Sequence, residues 1–192
     1  MGNSRQRLIV GISGATGIVY GVRILERLRA AQIETHLVVS KTGQLTRGLE
    51  TDLEAADLTS LADVVYAPGD LGAAISSGSF RTAGMIVAPC SVRSLAEIAS
   101  GVTSSLLTRA ADVCLKERRR VVLLVRETPL HAGHLRNMLA ATEMGAIIMP
   151  PVPAFYTRPK TIDDIVDFTA ARALELCGIE MPDMPRWGGG EK

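Results

Sequence analysis

The sequence predicts a single α/β domain built on a doubly wound parallel sheet in three layers. Three observations carry this. Short apolar runs alternate with segments of helical spacing along most of the chain. The apolar runs are nearly continuous rather than alternating, as expected of strands covered on both faces. The first run opens into Gly11-Ile12-Ser13-Gly14-Ala15-Thr16-Gly17, a glycine-rich turn from strand to helix. With 192 residues, 47% of them apolar, the chain is long enough to bury one such core.

Leu8–Ile12 is the first predicted strand, and Ile18–Ala31 the first helix, with Ile18, Val22, Leu25 and Leu28 at helical spacing. Glu34–Val39 reads as a second strand ending at Ser40-Lys41. Thr42–Glu54 reads as a helix and Val64–Ala67 as a short strand, while 57–67 suggests no functional role. A brief helix to Ile75 precedes the small polar loop Ser76-Ser77-Gly78-Ser79. Gly84–Ala88 is another buried strand, running through Pro89-Cys90 into a helix over Ser91–Ala99. Ser104–Glu117 is the next helix, capped by Thr103 or Ser104. Arg120–Val125 is a strand ending at Arg126-Glu127-Thr128-Pro129, and Pro129 suits the first turn of a helix to Met144. Ala146–Met149 is the last strand, followed by the stiff segment 150–156 and a helix from the Thr161 cap to Cys177. The order is that of a Rossmann/flavodoxin-like sheet. Residues 1–180 form the domain. Residues 181–192, with two prolines, Trp187 and a glycine run, form a tail expected to add nothing to the core and to be disordered or laid on another subunit.

The bulk numbers exclude several classes. A net charge of +1 does not suggest a nucleic-acid or membrane-surface partner. Cys90, Cys114 and Cys177 have no CxxC spacing and read as reduced thiols of a cytoplasmic protein. The start lacks the apolar stretch of a signal peptide, and no apolar run approaches the roughly 20 residues of a membrane span.

The chemistry-bearing residues gather at strand ends. The turn at Gly14 and the Pro89-Cys90-Ser91 junction are both strand-to-helix mouths, where parallel sheets bind ligands. The helix start after the glycines suits a phosphate, with Ser13 and Thr16 adding hydroxyls; a bare structural turn is the alternative. Ser40-Lys41 stands where a dinucleotide fold would place a ribose-binding carboxylate, which argues against NAD. Arg126, Lys116, Arg109 and Arg172 are candidates to gather around a phosphate leaving group. Arg118, Arg119 and Arg120 read as a solvated turn. Glu127 and Glu50 are candidate proton carriers or plain helix-end charges. His131 and His134 have metal-ligand spacing without a third ligand, and Asp163-Asp164 fits the dipole of a helix start.

Together these stretches resemble one family, the UbiX-type flavin prenyltransferases. The resemblance rests on GISGATG (11–17), VVSK (38–41), LETD (49–52), SSGSF (76–80), APCSVRSL (88–95), LLTRAADVCLKERR (106–119), VRETPLH (125–131), MPPVPAFY (149–156) and PRW (185–187). It implies an enzyme that binds reduced FMN and dimethylallyl monophosphate and joins the five-carbon unit to N5 and C6 of the flavin, without a metal. The product, prenylated FMN, would serve a UbiD-type decarboxylase. On this pattern Gly14, Ala15, Thr16, Ser40, Ser91, Val92, Arg93, Ser94 and Arg126 hold the flavin. Lys116, Tyr156 and Arg172, with Arg109, hold the dimethylallyl phosphate. Ser77 and Gly78 contribute from another subunit, and Trp187 borders the site. Glu127 and Glu50 handle protons, and Thr16 stands where the family often has Ser. The family also implies a homo-oligomer, commonly a dodecamer. Two other activities stay open: an FMN-dependent oxidative cysteine decarboxylase, and a non-catalytic flavin-carrying subunit of an aromatic-acid decarboxylase.

Overall fold

The structure, a computed structural model, describes residues 5–188. The outermost parts of the predicted polar start and of the tail, residues 1–4 and 189–192, lie outside it. Six parallel strands form one sheet, β1 (Arg7–Ile12), β2 (Glu34–Val39), β3 (Val64–Tyr66), β4 (Gly84–Cys90), β5 (Arg120–Val125) and β6 (Ala146–Ile148), in the order β3-β2-β1-β4-β5-β6. Val10 pairs with Leu37 on one side and Ile86 on the other. Among the described residues seven α-helices flank the sheet: α1 (Ile18–Ala30), α2 (Lys41–Glu50), α3 (Ala55–Ser60), α4 (Val92–Ser100), α5 (Leu106–Lys116), α6 (Ala132–Glu143) and α7 (Ile162–Leu176).

The alternation of strand side chains makes two cores. Leu8, Val10 and Ile12 face one cluster with Ile24, Leu28, Ala170 and Leu174 of α1 and α7. Ile9 faces the other, with Leu95, Leu107, Ala110 and Ala141 of α4, α5 and α6. Cys90, Cys114 and Cys177 are all buried and unpaired. Burial pushes their thiols up, to about 12, about 11 and about 12 respectively, so they behave as small apolar side chains.

Several expectations need correction. The helix expected over Thr42–Glu54 stops at Glu50, because Thr51 turns extended and Glu54 starts a separate helix, α3, by a capping box with Asp57. Pro129 does not open a helix: α6 begins only after His131, whose ring caps it by accepting from the Gly133 N–H at 3.0 Å. The cap of α5 is Ser105 rather than Thr103 or Ser104. The tail does enter the core. Met181 and Met184 are buried in the α1–α7 cluster, and Asp183 pairs with Arg27 at 3.0 Å. Its apolar methionines flank a charge that α1 can satisfy, so the composition alone misleads. The Thr161 cap of α7 is as expected, with Asp164 closing the capping box.

Candidate active site

In this strand order the chain reverses direction of winding between β1 and β4, and a crevice opens there beyond the carboxyl ends of the strands. Ser13 stitches its floor. Its Oγ donates to the Pro89 carbonyl at 2.9 Å and accepts from the Ser91 N–H at 2.7 Å. Ser13 is thus buried between the two mouths and offers no hydroxyl to a ligand, contrary to expectation.

Two adjoining clefts lie above this floor. One, of about 280 Å³, is lined by Gly14, Ala15, Thr16, Thr42, Ser91, Val92, Arg93, Arg126 and Glu127. The other, of about 400 Å³, is lined by Ser40, Ser94, Glu97, Ser105 and neighbours, and shares Thr42, Ser91 and Arg93 with the first. Every residue expected to hold a flavin therefore borders this crevice. Thr42 was missed, although its place just after the Ser40-Lys41 strand end is the signal that would have found it.

The crevice has the donor chemistry of a phosphate and ring-edge site. Ser91 caps α4 by accepting from the Ser94 N–H at 3.2 Å, which leaves the N–H groups of Val92 and Arg93 pointing out of a helix N-terminus. Ser40 caps α2 in the same way, accepting from Gly43 at 2.9 Å. Arg126, exposed at the end of β5, supplies a guanidinium. Its charge is felt by both Tyr20 and Glu50. These residues fit the phosphate, hydroxyls and polar ring edge of a flavin mononucleotide.

The N-terminus of α1 is not available to a phosphate. Gly17 holds φ +98° and no side chain of its own caps the helix; instead Glu50 accepts from the Gly17 and Ile18 N–H groups at 2.8 and 3.1 Å. Partial burial raises the Glu50 carboxyl, but hydrogen bonds from the Thr16 hydroxyl and the Ile18 and Gly17 amides, with the Arg126 charge, outweigh it and hold the group below the usual carboxylate range. Glu50 is ionised beside the crevice, and Thr16 is bonded to it.

The candidate phosphate binders do not gather in one protomer. Lys116 ends α5 beside Glu117, its partner, near the amino end of β5, while Arg126 stands at the carboxyl end of the same strand. Six residues of strand put roughly 20 Å between those ends. Gly78 sits with Lys116: a Cβ there would lie 2.8 Å from Lys116 Nζ. Arg119 builds this corner by donating to the carbonyls of Phe80, at 2.7 Å, and Gly78. It is no solvated turn residue, and only a long-range contact reveals that. Ser77 bonds Ser79 in the same loop at 2.9 Å. Arg109, higher on α5, pairs with Asp112 at 2.7 Å. A third group lies on α7 and the C-terminal segment. The Tyr156 ring meets Trp187 edge-on at 5.5 Å and Phe168 at 5.9 Å, and Arg172 pairs with Glu175 at 3.1 Å. Glu175 and Arg186 were not anticipated. His131 and His134 stack at 3.6 Å. Among the described residues no group of three or more His, Cys, Asp or Glu side chains is placed to hold a metal ion, and no helix is long and apolar enough to cross a membrane.

Residues 2–174 match the family model described as Flavoprotein. The chain is 56% identical to the flavin prenyltransferase UbiX of Neisseria meningitidis, over 96% of this chain and 97% of that protein. It is 54% identical to the flavin prenyltransferase UbiX of Escherichia coli K12, over 96% and 99%. Among solved structures it is similar to AnUbiX (PadA1) in complex with FMN and dimethylallyl pyrophosphate, with a TM-score of 0.95, 49% identity and coverage of 97% and 100%. A dodecameric FMN-dependent UbiX-like decarboxylase from Escherichia coli O157:H7 has a TM-score of 0.92, 52% identity and coverage of 96% and 100%. The cysteine decarboxylase TvaF, 16% identical with a TM-score of 0.65 and covering 91% of this chain and 99% of its own, shares the fold alone. A crevice at the switch point of the sheet, donor groups suited to a flavin mononucleotide, and this likeness over nearly the whole length lead to one conclusion: the chain belongs to the flavoprotein family, among its UbiX-type flavin prenyltransferases.

Proposed function

We propose that this chain transfers the dimethylallyl group of dimethylallyl monophosphate to N5 and C6 of reduced FMN. The observation that carries this is the β1–β4 crevice, in which Arg126 and Glu127 line the same cleft as the Gly14–Thr16 turn. When bound, reduced FMN supplies the electron-rich ring that takes the five-carbon unit. Val92, Arg93, Ser40, Ser91 and Ser94 hold it by amide and hydroxyl donors, and Arg126 by charge.

The allylic C–O bond breaks as charge builds on the departing phosphate. Lys116, Arg172 and Arg109 with the Tyr156 hydroxyl stabilise that charge; Ser77 and Gly78 shape the Lys116 corner. Within one protomer Lys116 and Arg126 stand at opposite ends of β5. The complete site therefore draws on neighbouring copies, in keeping with a dodecamer. Glu127 carries a proton at the mouth of the crevice. The Thr16 hydroxyl donates to the ionised Glu50 carboxylate, which leaves the Thr16 oxygen free to accept a hydrogen bond on the crevice side. Trp187 borders the prenyl side by its contact with Tyr156. The product would pass to a UbiD-type decarboxylase in the cytoplasm.

Anaerobic incubation of the protein with reduced FMN and dimethylallyl monophosphate, followed by mass spectrometry, tests this. A flavin heavier by one five-carbon unit is the expected result. Recovery of unmodified FMN alone would overturn it, and release of CO₂ from a cysteine-terminated peptide without prenyl phosphate would replace it with the decarboxylase reading.

A further inference from the structure

Glu175 serves two guanidinium groups at once. Its Oε2 accepts from Arg172 Nη1 at 3.1 Å, and its Oε1 accepts from Arg186 Nη2. The Glu175 side chain is only 10% exposed, whereas those of Arg172 and Arg186 are 48% and 65% exposed. One carboxylate against two guanidinium groups leaves one positive charge uncompensated, and the exposed Arg172 can present it. Arg186 immediately precedes Trp187, whose ring leans on Tyr156; Tyr156 leans on Phe168, one helical turn before Arg172. The contacts thus close a ring from Arg172 through Glu175, Arg186, Trp187, Tyr156 and Phe168 back to α7. The earlier part of the C-terminal segment is fastened independently, by Met181 and Met184 in the core and by Asp183 on Arg27. Its Trp187 end is tied to Glu175 through Arg186 and to Tyr156 through the ring contact.

We propose that Glu175 is a positioning residue that sets Arg172 for the prenyl phosphate and seats Trp187 against Tyr156 through Arg186. This rests on the reading of Arg172 and Tyr156 as phosphate binders given above. An arriving phosphate dianion competes with Oε2 for Arg172, while Oε1 keeps Arg186. Arg172 is thereby held in place without being used up, and the ring of contacts stays closed. A carboxylate so little exposed, and bonded on both oxygens, holds its partners more firmly than a surface pair would.

The substitution Glu175→Gln keeps shape and removes charge. Trp187 is the single tryptophan, so its fluorescence anisotropy in the FMN-loaded protein reports how firmly that segment is seated. The expected result is a fall in anisotropy, a KM for dimethylallyl monophosphate raised about tenfold, kcat within about twofold and unchanged FMN content. Arg186→Ala should lower the anisotropy equally with a smaller rise in KM, since Arg172 keeps its partner. Unchanged anisotropy in Glu175→Gln, or lowered anisotropy with an unchanged KM, overturns the proposal. If the unsubstituted protein makes no prenylated flavin, the functional reading fails instead. Calorimetric binding of inorganic phosphate then decides the positioning role: weaker binding by Glu175→Gln supports it, and equal binding overturns it.

Discussion

Glu50, the last residue of α2, caps the start of α1 at Gly17, with its Oε2 2.8 Å from the Gly17 N–H. The glycine turn that reads as a phosphate cradle is thus half occupied by the protein's own anion. The phosphate-type donors fall instead to α4 and α2, where Ser91 and Ser40 cap the helices and Val92 and Arg93 offer free amides. One carboxylate fixes both the geometry of the turn and the state of Thr16.

Glu50→Ala should lower stability by about 1 kcal/mol, the usual cost of losing an N-terminal cap, as measured by denaturant unfolding. The pH dependence follows from the depressed folded-state pKa. Such a group contributes stability above its unfolded pKa and loses it as pH falls through the folded one. The unfolding midpoint of the unsubstituted protein should therefore fall more steeply than that of Glu50→Gln below about pH 4.5. Parallel curves would remove Glu50 from the capping role.

Two glycines should respond to alanine to very different degrees. A Cβ at Gly84, where φ is +153°, would meet the Arg120 carbonyl oxygen at 2.2 Å, backbone of the adjacent strand β5. At Gly78 the nearest atoms, at 2.3 to 2.8 Å, belong to the flexible ends of Glu117 and Lys116. Gly84→Ala should cost about 2–4 kcal/mol in unfolding experiments. Gly78→Ala should cost under about 1 kcal/mol yet raise the KM for the prenyl phosphate, because the Lys116 ammonium must move. A Gly78→Ala enzyme with unaltered KM would detach that corner from the substrate.

Glu127 accepts from its neighbour Thr128 N–H at 3.1 Å and otherwise stands exposed in the crevice. Glu127→Gln should slow product formation about 10² to 10⁴-fold, the range of a lost general acid or base, with thermal stability and FMN content unchanged. Single-turnover rates equal to the parent's would exclude it from proton transfer.

The strands were readable because each is a short apolar run, and the crevice because two such runs end in Gly14 and Ser91, on strands that the winding makes neighbours. Local signals such as the Thr161-Asp164 capping box survive intact, since partner and donor lie within one turn. What escaped reading depends on residues distant in sequence. Ser13 is consumed by Pro89 and Ser91, Arg119 by Gly78 and Phe80, and Met181 and Met184 by a core assembled from both ends of the chain. Lys116 and Arg126 were expected to gather because both are cationic. Yet α5 runs against the strands and carries Lys116 away from the end that Arg126 occupies.

That separation yields a prediction about assembly. If each site takes Lys116 from one copy and Arg126 from another, two inactive variants should rescue each other. Lys116→Ala should lose turnover while keeping its FMN, and Arg126→Ala should lose flavin affinity. Mixed oligomers, formed by co-expressing the two with different tags and purifying on both, contain sites in which one copy supplies an intact Arg126 and its neighbour an intact Lys116. With random mixing about a quarter of the sites are of this kind, so turnover should recover to roughly that fraction of the parent's. A site built within a single chain would give no recovery at all, because every chain in the mixture carries one lesion. The measurement therefore separates a composite phosphate site from a protomer that folds Lys116 toward its own Arg126.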